Sequence, residues 1–355
     1  MASQSVFEGW VARDESSVSG NMRWMSYEPK PFEETDIEIK VSHCGICASD
    51  LAHLRSGWKP ADYPIVVGHE IVGHVVRVGS TVQDHKIGDR VGIGAQCKSC
   101  LRPDCAACSN EQEQHCKNEF VTTYDARFPD GNKAYGGFAK YWRGPGTFAF
   151  RIPDNIPSEV AAPMLCGGLT VYSPLVSNGA GPGKRVGVVG LGGLGHFAVL
   201  FAKALKCHKV VAISRSSSKR IDALKMGADE YIATAEEPDW PTKHANSLDL
   251  IISTISGAGF DMEKYLSLLD VNGTLIQVGA PEDPIPAFSA FSLLRENLKI
   301  GGSLIGSRKQ AREMLDLASK ADIKAWVEKR PMAEANEAVV DMGNGKARYR
   351  YVLVN

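Results

Sequence analysis

Gly187-Val-Val-Gly190-Leu-Gly192-Gly193-Leu194-Gly195-His196 is the stretch around which the rest of the chain is arranged. The apolar run Arg185 to Val189 reads as a buried strand. It leads into Gly190-x-Gly192-Gly193-x-Gly195 and then into Phe197-Ala-Val-Leu-Phe-Ala-Lys-Ala-Leu205, which has helical spacing. Strand, glycine turn and helix form the setting in which this pattern cradles a dinucleotide. Gly190 permits the tight turn. Gly192, with Leu191, Gly193 and Leu194 around it, lets backbone N–H groups approach a pyrophosphate. Gly195 lets the helix sit close on the sheet, and the helix N-terminus favours the negative charge. Outside that setting the pattern is only a glycine-rich turn.

The next strand, Lys209 to Ile213, runs into Ser214-Arg215-Ser216-Ser-Ser-Lys219-Arg220. A cofactor with free ribose hydroxyls wants Asp or Glu here. No carboxylate appears before Asp222. Ser214 and Ser216 offer hydrogen bonds, and Arg215 and Lys219 offer charge to a 2′-phosphate, so the expected cofactor is NADP(H). Arg220 can turn either way.

Further along, Ser217 to Met226 has a helical pattern and stops at Gly227. Leu248 to Ser253 reads as a strand, Asp261 to Leu269 as a helix, Thr274 to Gly279 as a strand and Leu298 to Leu304 as a last strand. This alternation predicts an α/β domain with a parallel sheet. Before it the chain is dense in glycine and β-branched runs: Ile37 to Val41, Ile65 to Val67 and Ile71 to Val78. After it come a helix, Arg308 to Ser319, and a strand, Tyr349 to Val354. The expected organisation is a β-rich domain from residues 1–164 and 305–355, with the nucleotide-binding domain, 165–304, inserted between.

The length of 355 residues suits two domains, and 44% hydrophobic with 23% charged residues is ordinary for a globular protein. A net charge of −1 gives no electrostatic case for nucleic acid or an anionic membrane. No apolar stretch reads as a bilayer span, and the N-terminus lacks the basic and apolar regions of an export signal. Asn355 ends the chain without a retention or lipidation signal, and the cytoplasm is the default location.

Nine cysteines, five of them between Cys97 and Cys116, suggest metal before disulfides. Cys100-x4-Cys105-x2-Cys108-x7-Cys116 supplies four thiolates for a closed, structural zinc. Cys97 is a fifth candidate for the first position. Cys47, His69 and Cys166 would make a second, open site, because two thiolates and one imidazole leave a tetrahedral position free. Spacing alone does not bring such distant residues together, and Cys44 with Cys47 is equally a packed pair.

The motifs Cys44-Gly-Ile-Cys47-x-Ser49-Asp50, Gly68-His-Glu-Ile-Val-Gly73, Gly88-Asp-Arg-Val-Gly92, Leu165-Cys-Gly-Gly-Leu-Thr-Val-Tyr172, Gly190 to Gly195, Gly301 to Gly306 and Arg348-Tyr-Arg350 carry a resemblance over nearly the whole chain. The chain resembles the zinc-dependent medium-chain dehydrogenases and, within them, the NADP-dependent cinnamyl alcohol dehydrogenase branch. The resemblance implies a GroES-like catalytic domain with a Rossmann domain, two zinc ions per chain and a homodimer meeting near Leu298 to Leu304. It implies that Cys47, His69 and Cys166 hold the catalytic zinc, that Glu70 approaches the metal during ligand exchange, and that Asp50 orients His69. Ser49 would exchange the proton of the substrate oxygen. Thr170, Val278, Ser303 and Arg350 would join the cofactor contacts, and Trp58, Val121, Leu304 and Ile305 would line the substrate channel.

Two departures stand out. Four residues, where the family has two, separate Cys100 from Cys105. The position three residues after the relay hydroxyl, usually histidine, is Ala52, and His53 follows it. Either His53 reaches in, or water and the ribose hydroxyls complete the relay, or the alcohol chemistry is weakened in favour of another polarised double bond. Val121, where the branch often carries tryptophan, suggests a wider pocket. The expected reaction is reversible reduction of medium to large, aromatic or unsaturated aldehydes by NADPH. A C=N or conjugated C=C reductase on the same scaffold and an inactive NADPH-binding protein are the alternatives.

Overall fold

The computed structural model describes residues 5–255 and 260–355. Residues 1–4, part of the N-terminus read above for an export signal, lie outside the described residues. The chain divides into two compact units. One comprises Met1–Cys166, Ser307–Ser319 and Trp326–Asn355; the other comprises Gly167–Gly306 and Lys320–Ala325.

The second unit is built on a six-stranded sheet in the spatial order Glu230–Ala233, Lys209–Ser214, Arg185–Val189, Leu248–Ser253, Leu269–Gln277, Lys299–Gly302. Every pairing is parallel. The order reverses beside Arg185–Val189, which is the doubly wound arrangement with its ligand crevice at the switch point. Val186, Val188 and Val189 are buried, as expected of a strand covered on both faces. Arg185 starts that strand, and its guanidinium donates to Asp249 at 2.5 Å and 3.1 Å and to Asp270 at 2.8 Å. One cation therefore joins three neighbouring strands at their N-terminal ends.

A helix, the strand after it and an edge strand differ from expectation. The helix expected over 261–269 is Met262–Leu266, and the following strand is longer, Leu269–Gln277. Leu268 and Leu269 are buried and continue the core into the sheet, which ends the helix early. The edge strand Glu230–Ala233 was not anticipated; its four residues hold too little alternation to register as a strand.

In the first unit a seven-stranded sheet runs Val327–Pro331, Arg350–Val354, Asp36–Gly45, Ile71–Val78, Arg90–Ile93, Ala149–Arg151, with Tyr141–Pro145 also paired to Asp36–Gly45. All pairs are antiparallel except the first, Val327–Pro331 with Arg350–Val354. Ile37, Ile39, Val41, Ile71, Val75, Val91 and Ile93 lie in its core. Ile65 to Val67 is buried but forms only a bridge with Ala12. The Val66 and Val67 carbonyls instead accept from Gly136 and Phe138 of a crossing loop.

Ser158–Ser177 forms a 20-residue helical stretch long and apolar enough to cross a membrane by length and composition, which corrects the expectation that no such segment exists. It is 83% buried inside the protein, as in the core helix of a globular protein.

Candidate active site and metal centres

Cys47 follows the strand Asp36–Gly45 and precedes the helix Ala48–Leu54, with extended backbone at its N-cap. Asp50, in the first turn, folds its carboxylate back to accept from Cys47 N at 2.7 Å and from Gly68 N at 3.1 Å. One buried carboxylate thereby ties together both segments that carry metal donors. Asp50, expected to orient His69, gives one oxygen to each of these backbone amides. Gly68 has φ +99°, and a Cβ there would meet the Phe138 ring at 2.5 Å, so the turn that delivers His69 and Glu70 depends on glycine. Cys166 sits in a π-helical turn, Met164–Gly168, between Ser158–Pro163 and Leu169–Ser177. Such turns are frequent at functional sites.

These segments bring the donor atoms of Cys47, His69, Glu70 and Cys166 within 4.8 Å of one another, all of them buried. Cys47 Sγ and Cys166 Sγ are 3.9 Å apart. The edge of a zinc–thiolate tetrahedron, from a Zn–S length of about 2.3 Å, is about 3.8 Å. Among the described residues the buried Nε2 of His69 has no hydrogen-bond partner, as expected of a lone pair kept for a metal. The neighbouring Cys166 thiol, with His69 and Arg350, holds the Cys47 thiol well below its usual range. The donors fit a zinc ion with an open position.

Glu70 is fully buried. Burial pushes its carboxyl up to about 8, against the pull of the Arg350 guanidinium that grips both of its oxygens. Arg350, expected among the cofactor contacts, holds this carboxylate through Nη2. A Cβ on Gly45 would lie 2.0 Å from Glu70 Oε2, so that glycine makes the room the carboxylate occupies. Cys44 is buried in the core and stands outside the donor group.

The second cluster joins Cys100, Cys105, Cys108 and Cys116. The Sγ separations are 3.4 Å for Cys100–Cys116, 3.6 Å for Cys100–Cys108 and 3.8 Å for Cys105–Cys116, which again approximate a zinc–thiolate tetrahedron. Cys97 is fully buried and directed at the Thr122 carbonyl, 3.5 Å away, leaving the first position to Cys100.

Ser49 Oγ lies 3.5 Å from Cys47 Sγ. His53, one turn further along the helix, has Nδ1 at 2.7 Å from Asp125 Oδ2. Asp125 is 72 residues away in sequence and nothing local marks it as a partner. Tyr124, beside it, was also missed; its ring stacks on His69 at 5.3 Å and 9°. Trp58 meets the His53 ring edge to face at 5.5 Å and is 43% exposed. Val121, expected to line the pocket, is a core residue: in the strand Phe120–Thr122 alternation turns Phe120 outward and Val121 inward. Leu304 is half exposed, and Ile305 takes φ +50°, both on the second unit.

In the second unit Gly190 has φ +89°, and a Cβ on Gly195 would lie 1.8 Å from Gly190 O, so the helix packs against the turn without a side chain between. A Cβ on Gly192 would meet nothing within 4 Å, which leaves a backbone surface open to a ligand. Leu194 is the N-cap of the helix Gly195–Ala204, and the Gly193 carbonyl contacts His196 Nδ1 at 3.0 Å. Lys219 Nζ donates to Leu191 O at 2.7 Å, placing its charge on the glycine turn. Ser214 ends its strand, Arg215 and Ser216 are exposed, and Ser216 Oγ is 3.0 Å from Ser218 Oγ. Arg220 turns to Glu237 at 3.3 Å and lies over the Tyr231 ring. Thr170 is buried in the helix Leu169–Ser177. The amides of Val278 and Ser303 donate to Ser253 O and Gln277 O at 2.9 Å and 3.2 Å, at the ends of the central strands.

Residues 33–154 match the alcohol dehydrogenase GroES-like domain, and residues 193–320 match the zinc-binding dehydrogenase domain. The chain is 45% identical to the NADP-dependent alcohol dehydrogenase 6 of Saccharomyces cerevisiae, over 100% of this chain and 98% of that protein. It superposes on a cinnamyl alcohol dehydrogenase from Sorghum bicolor with a TM-score of 0.92 and 37% identity, covering 99% of this chain and 98% of that one. The Helicobacter pylori cinnamyl alcohol dehydrogenase structure complexed with NADP(H) gives a TM-score of 0.89 and 34% identity, covering 98% and 97%. With an open Cys–His–Cys donor group, a closed four-cysteine lobe and a doubly wound nucleotide fold, the chain belongs to the zinc-binding alcohol dehydrogenase family of oxidoreductases.

Proposed function

We propose that this chain interconverts alcohols and aldehydes with NADP(H), acting on medium to large substrates with aromatic or unsaturated aldehydes favoured. The observation that carries this reading is the convergence of Cys47, His69 and Cys166, three donors of an open site, beside the Ser49 hydroxyl. When bound, zinc supplies Lewis-acid polarisation of the C–O bond and the nicotinamide exchanges a hydride with the carbon.

The chain's own residues do the rest. Cys47 and Cys166 as thiolates and His69 through Nε2 hold the metal. Glu70, paired with Arg350, is the carboxylate within reach of it. Asp50 fixes the two donor segments. Ser49 Oγ takes the hydroxyl proton in alcohol oxidation and returns one in aldehyde reduction. Cys100, Cys105, Cys108 and Cys116 hold their loop around a second zinc.

Within the proposed cofactor domain, 165–304, the turn Gly190 to Leu194 accepts the pyrophosphate. Ser214, Arg215, Ser216 and Lys219 receive the 2′-phosphate, and Thr170, Val278 and Ser303 serve the nicotinamide end. Trp58, beside His53, serves the substrate side in the first unit. A cytoplasmic homodimer belongs to the same proposal. Its support is the sheet-edge strand Lys299–Gly302, with Phe291 at 72% and Leu294 at 67% exposure in the segment before it.

The second reading, reduction of a C=N or conjugated C=C bond, is favoured by one residue: Ala52, buried in the helix that carries Ser49. NADPH oxidation by the purified protein with cinnamaldehyde, an iminium and an enone separates the two. The proposal expects the aldehyde to be fastest and NADPH to be preferred over NADH. Turnover of the iminium or enone without the aldehyde contradicts it.

A further inference from the structure

The strand Glu230–Ala233 closes one edge of the nucleotide sheet and pairs with Lys209–Ser214. The pairing continues past the end of both strands. Thr234 N donates to Ser214 O at 2.9 Å, and Ala235 N donates to Arg215 O at 2.8 Å. Two side chains of the same neighbour extend the grip. The Tyr231 hydroxyl donates to Ser216 O at 2.6 Å. Glu236 Oε1 accepts from Ser217 N at 2.8 Å and from Ser217 Oγ at 3.2 Å. Four successive residues, Ser214 to Ser217, are thus each fixed through a backbone group.

Tyr231 is the central anchor. It is 4% exposed, and a buried hydroxyl is costly unless it keeps a hydrogen-bond partner, so Ser216 O and the phenol stay together. The Ser214 side chain and the Lys219 amide lie beside the same phenol. The Arg220 guanidinium lies over the ring, 5.2 Å from its centroid, and donates to Tyr231 O at 3.2 Å. While the backbone of the loop is engaged in this way, Arg215 and Ser216 remain exposed. Among the described residues no hydrogen bond or ion pair holds the Arg215 guanidinium. A phosphate is recognised by several charge-assisted hydrogen bonds at once, and they bind most tightly when the donors are already in place.

We propose, resting on the reading of Ser214 to Lys219 as the 2′-phosphate site, that Tyr231 and Glu236 are positioning residues for that phosphate. They set the preference for NADPH over NADH without touching the cofactor. Tyr231 fixes Ser216 from below and Glu236 fixes Ser217 from the side, so that Arg215, Ser216 and Lys219 meet one anion together. Lys219 is tied separately, through Nζ to Leu191 O, and keeps its charge on the glycine turn when either anchor is lost. Removing an anchor therefore weakens the hold on the 2′-phosphate and leaves the rest of the dinucleotide bound as before. Glu236 is exposed and carries a negative charge beside an anion site. Its role as an acceptor for Ser217, not its charge, is what serves the phosphate.

The test uses the full chain as wild type, Tyr231→Phe, Glu236→Ala and Glu236→Gln. Calorimetry measures binding of two probes, adenosine 2′,5′-bisphosphate and AMP, which differ only in the 2′-phosphate. Steady-state assays give KM for NADPH and for NADH, and kcat with each. The wild type should bind the bisphosphate more tightly than AMP. Y231F loses a single hydrogen bond, and its affinity for the bisphosphate should fall about 5-fold, with KM for NADPH rising by the same factor. AMP affinity, KM for NADH and kcat at saturating NADPH should hold. E236A should show the same pattern at about 3-fold, and E236Q, which keeps the acceptor, should restore the bisphosphate affinity. Wild-type bisphosphate affinity in both Y231F and E236A, or an equal loss for AMP and the bisphosphate, overturns the positioning role and leaves the 2′-phosphate site intact. A wild type that binds the two probes equally overturns the 2′-phosphate reading and the positioning role with it.

Discussion

Gly45 shows how closely the metal donors are fitted. Its missing Cβ is the space filled by Glu70 Oε2, and Glu70 is in turn gripped by Arg350 in a fully buried pair. Breaking a buried pair costs about 3–5 kcal/mol because a charge is left uncompensated. Gly45→Ala is therefore expected to lower the unfolding free energy by about 3 kcal/mol, measured by urea denaturation, and to lower turnover with it. A variant with wild-type stability would show that the Glu70–Arg350 pair can move aside freely. At this scale the sequence was informative about which residues matter and poor on what they touch. The four lobe cysteines were legible from their spacing, whereas the grouping of the distant Cys47, His69 and Cys166 rested on the family resemblance. Asp125 was not legible, because an aspartate 72 residues from its histidine leaves no local pattern. Asp50 and Arg350 were identified, but the backbone amides and the Glu70 carboxylate that they bond are choices made by packing.

Elements of the nucleotide fold are tied by charge as well as by apolar burial. Arg185 bridges Asp249 and Asp270 across three parallel strands. The Arg185 guanidinium holds the Asp249 carboxyl below its usual range, outweighing the burial that would raise it. A depressed carboxyl contributes stability above its unfolded pKa of about 3.9 and loses it as pH falls through the lower folded value. Asp249→Asn should therefore cost about 1 kcal/mol at pH 7, and the difference from wild type should shrink once the pH falls below about 4. Denaturant melts from pH 7 to pH 3 check it; a gap independent of pH would mean that the ion pair contributes nothing. The alternation of strands and helices that predicted this domain was legible because Val, Ile and Leu runs are punctuated by Gly190, Gly227 and Gly279. The strand Glu230–Ala233 and the helix Ala335–Gly343 were missed. Both are short and carry charged residues among their apolar ones, so tertiary packing, not local periodicity, decides them.

At the scale of the whole molecule, the chain divides into two units whose sheets follow different rules. One sheet is wholly parallel and buried on both faces; the other is mainly antiparallel with a packed core. The family spans both, since its two domain models match residues 33–154 and 193–320. Cys47, His69 and Cys166 are proposed to hold a zinc ion on which NADP(H)-linked aldehyde reduction depends, distinct from the zinc of the four-cysteine lobe. The direct measurement is metal content and NADPH-dependent cinnamaldehyde reduction on the same preparations of wild type and Cys166→Ser. About two zinc ions per chain and turnover are expected for the wild type, and about one zinc ion, a folded protein and loss of turnover for the variant. A variant that keeps both zinc ions, or that reduces the aldehyde as fast as the wild type, would contradict it.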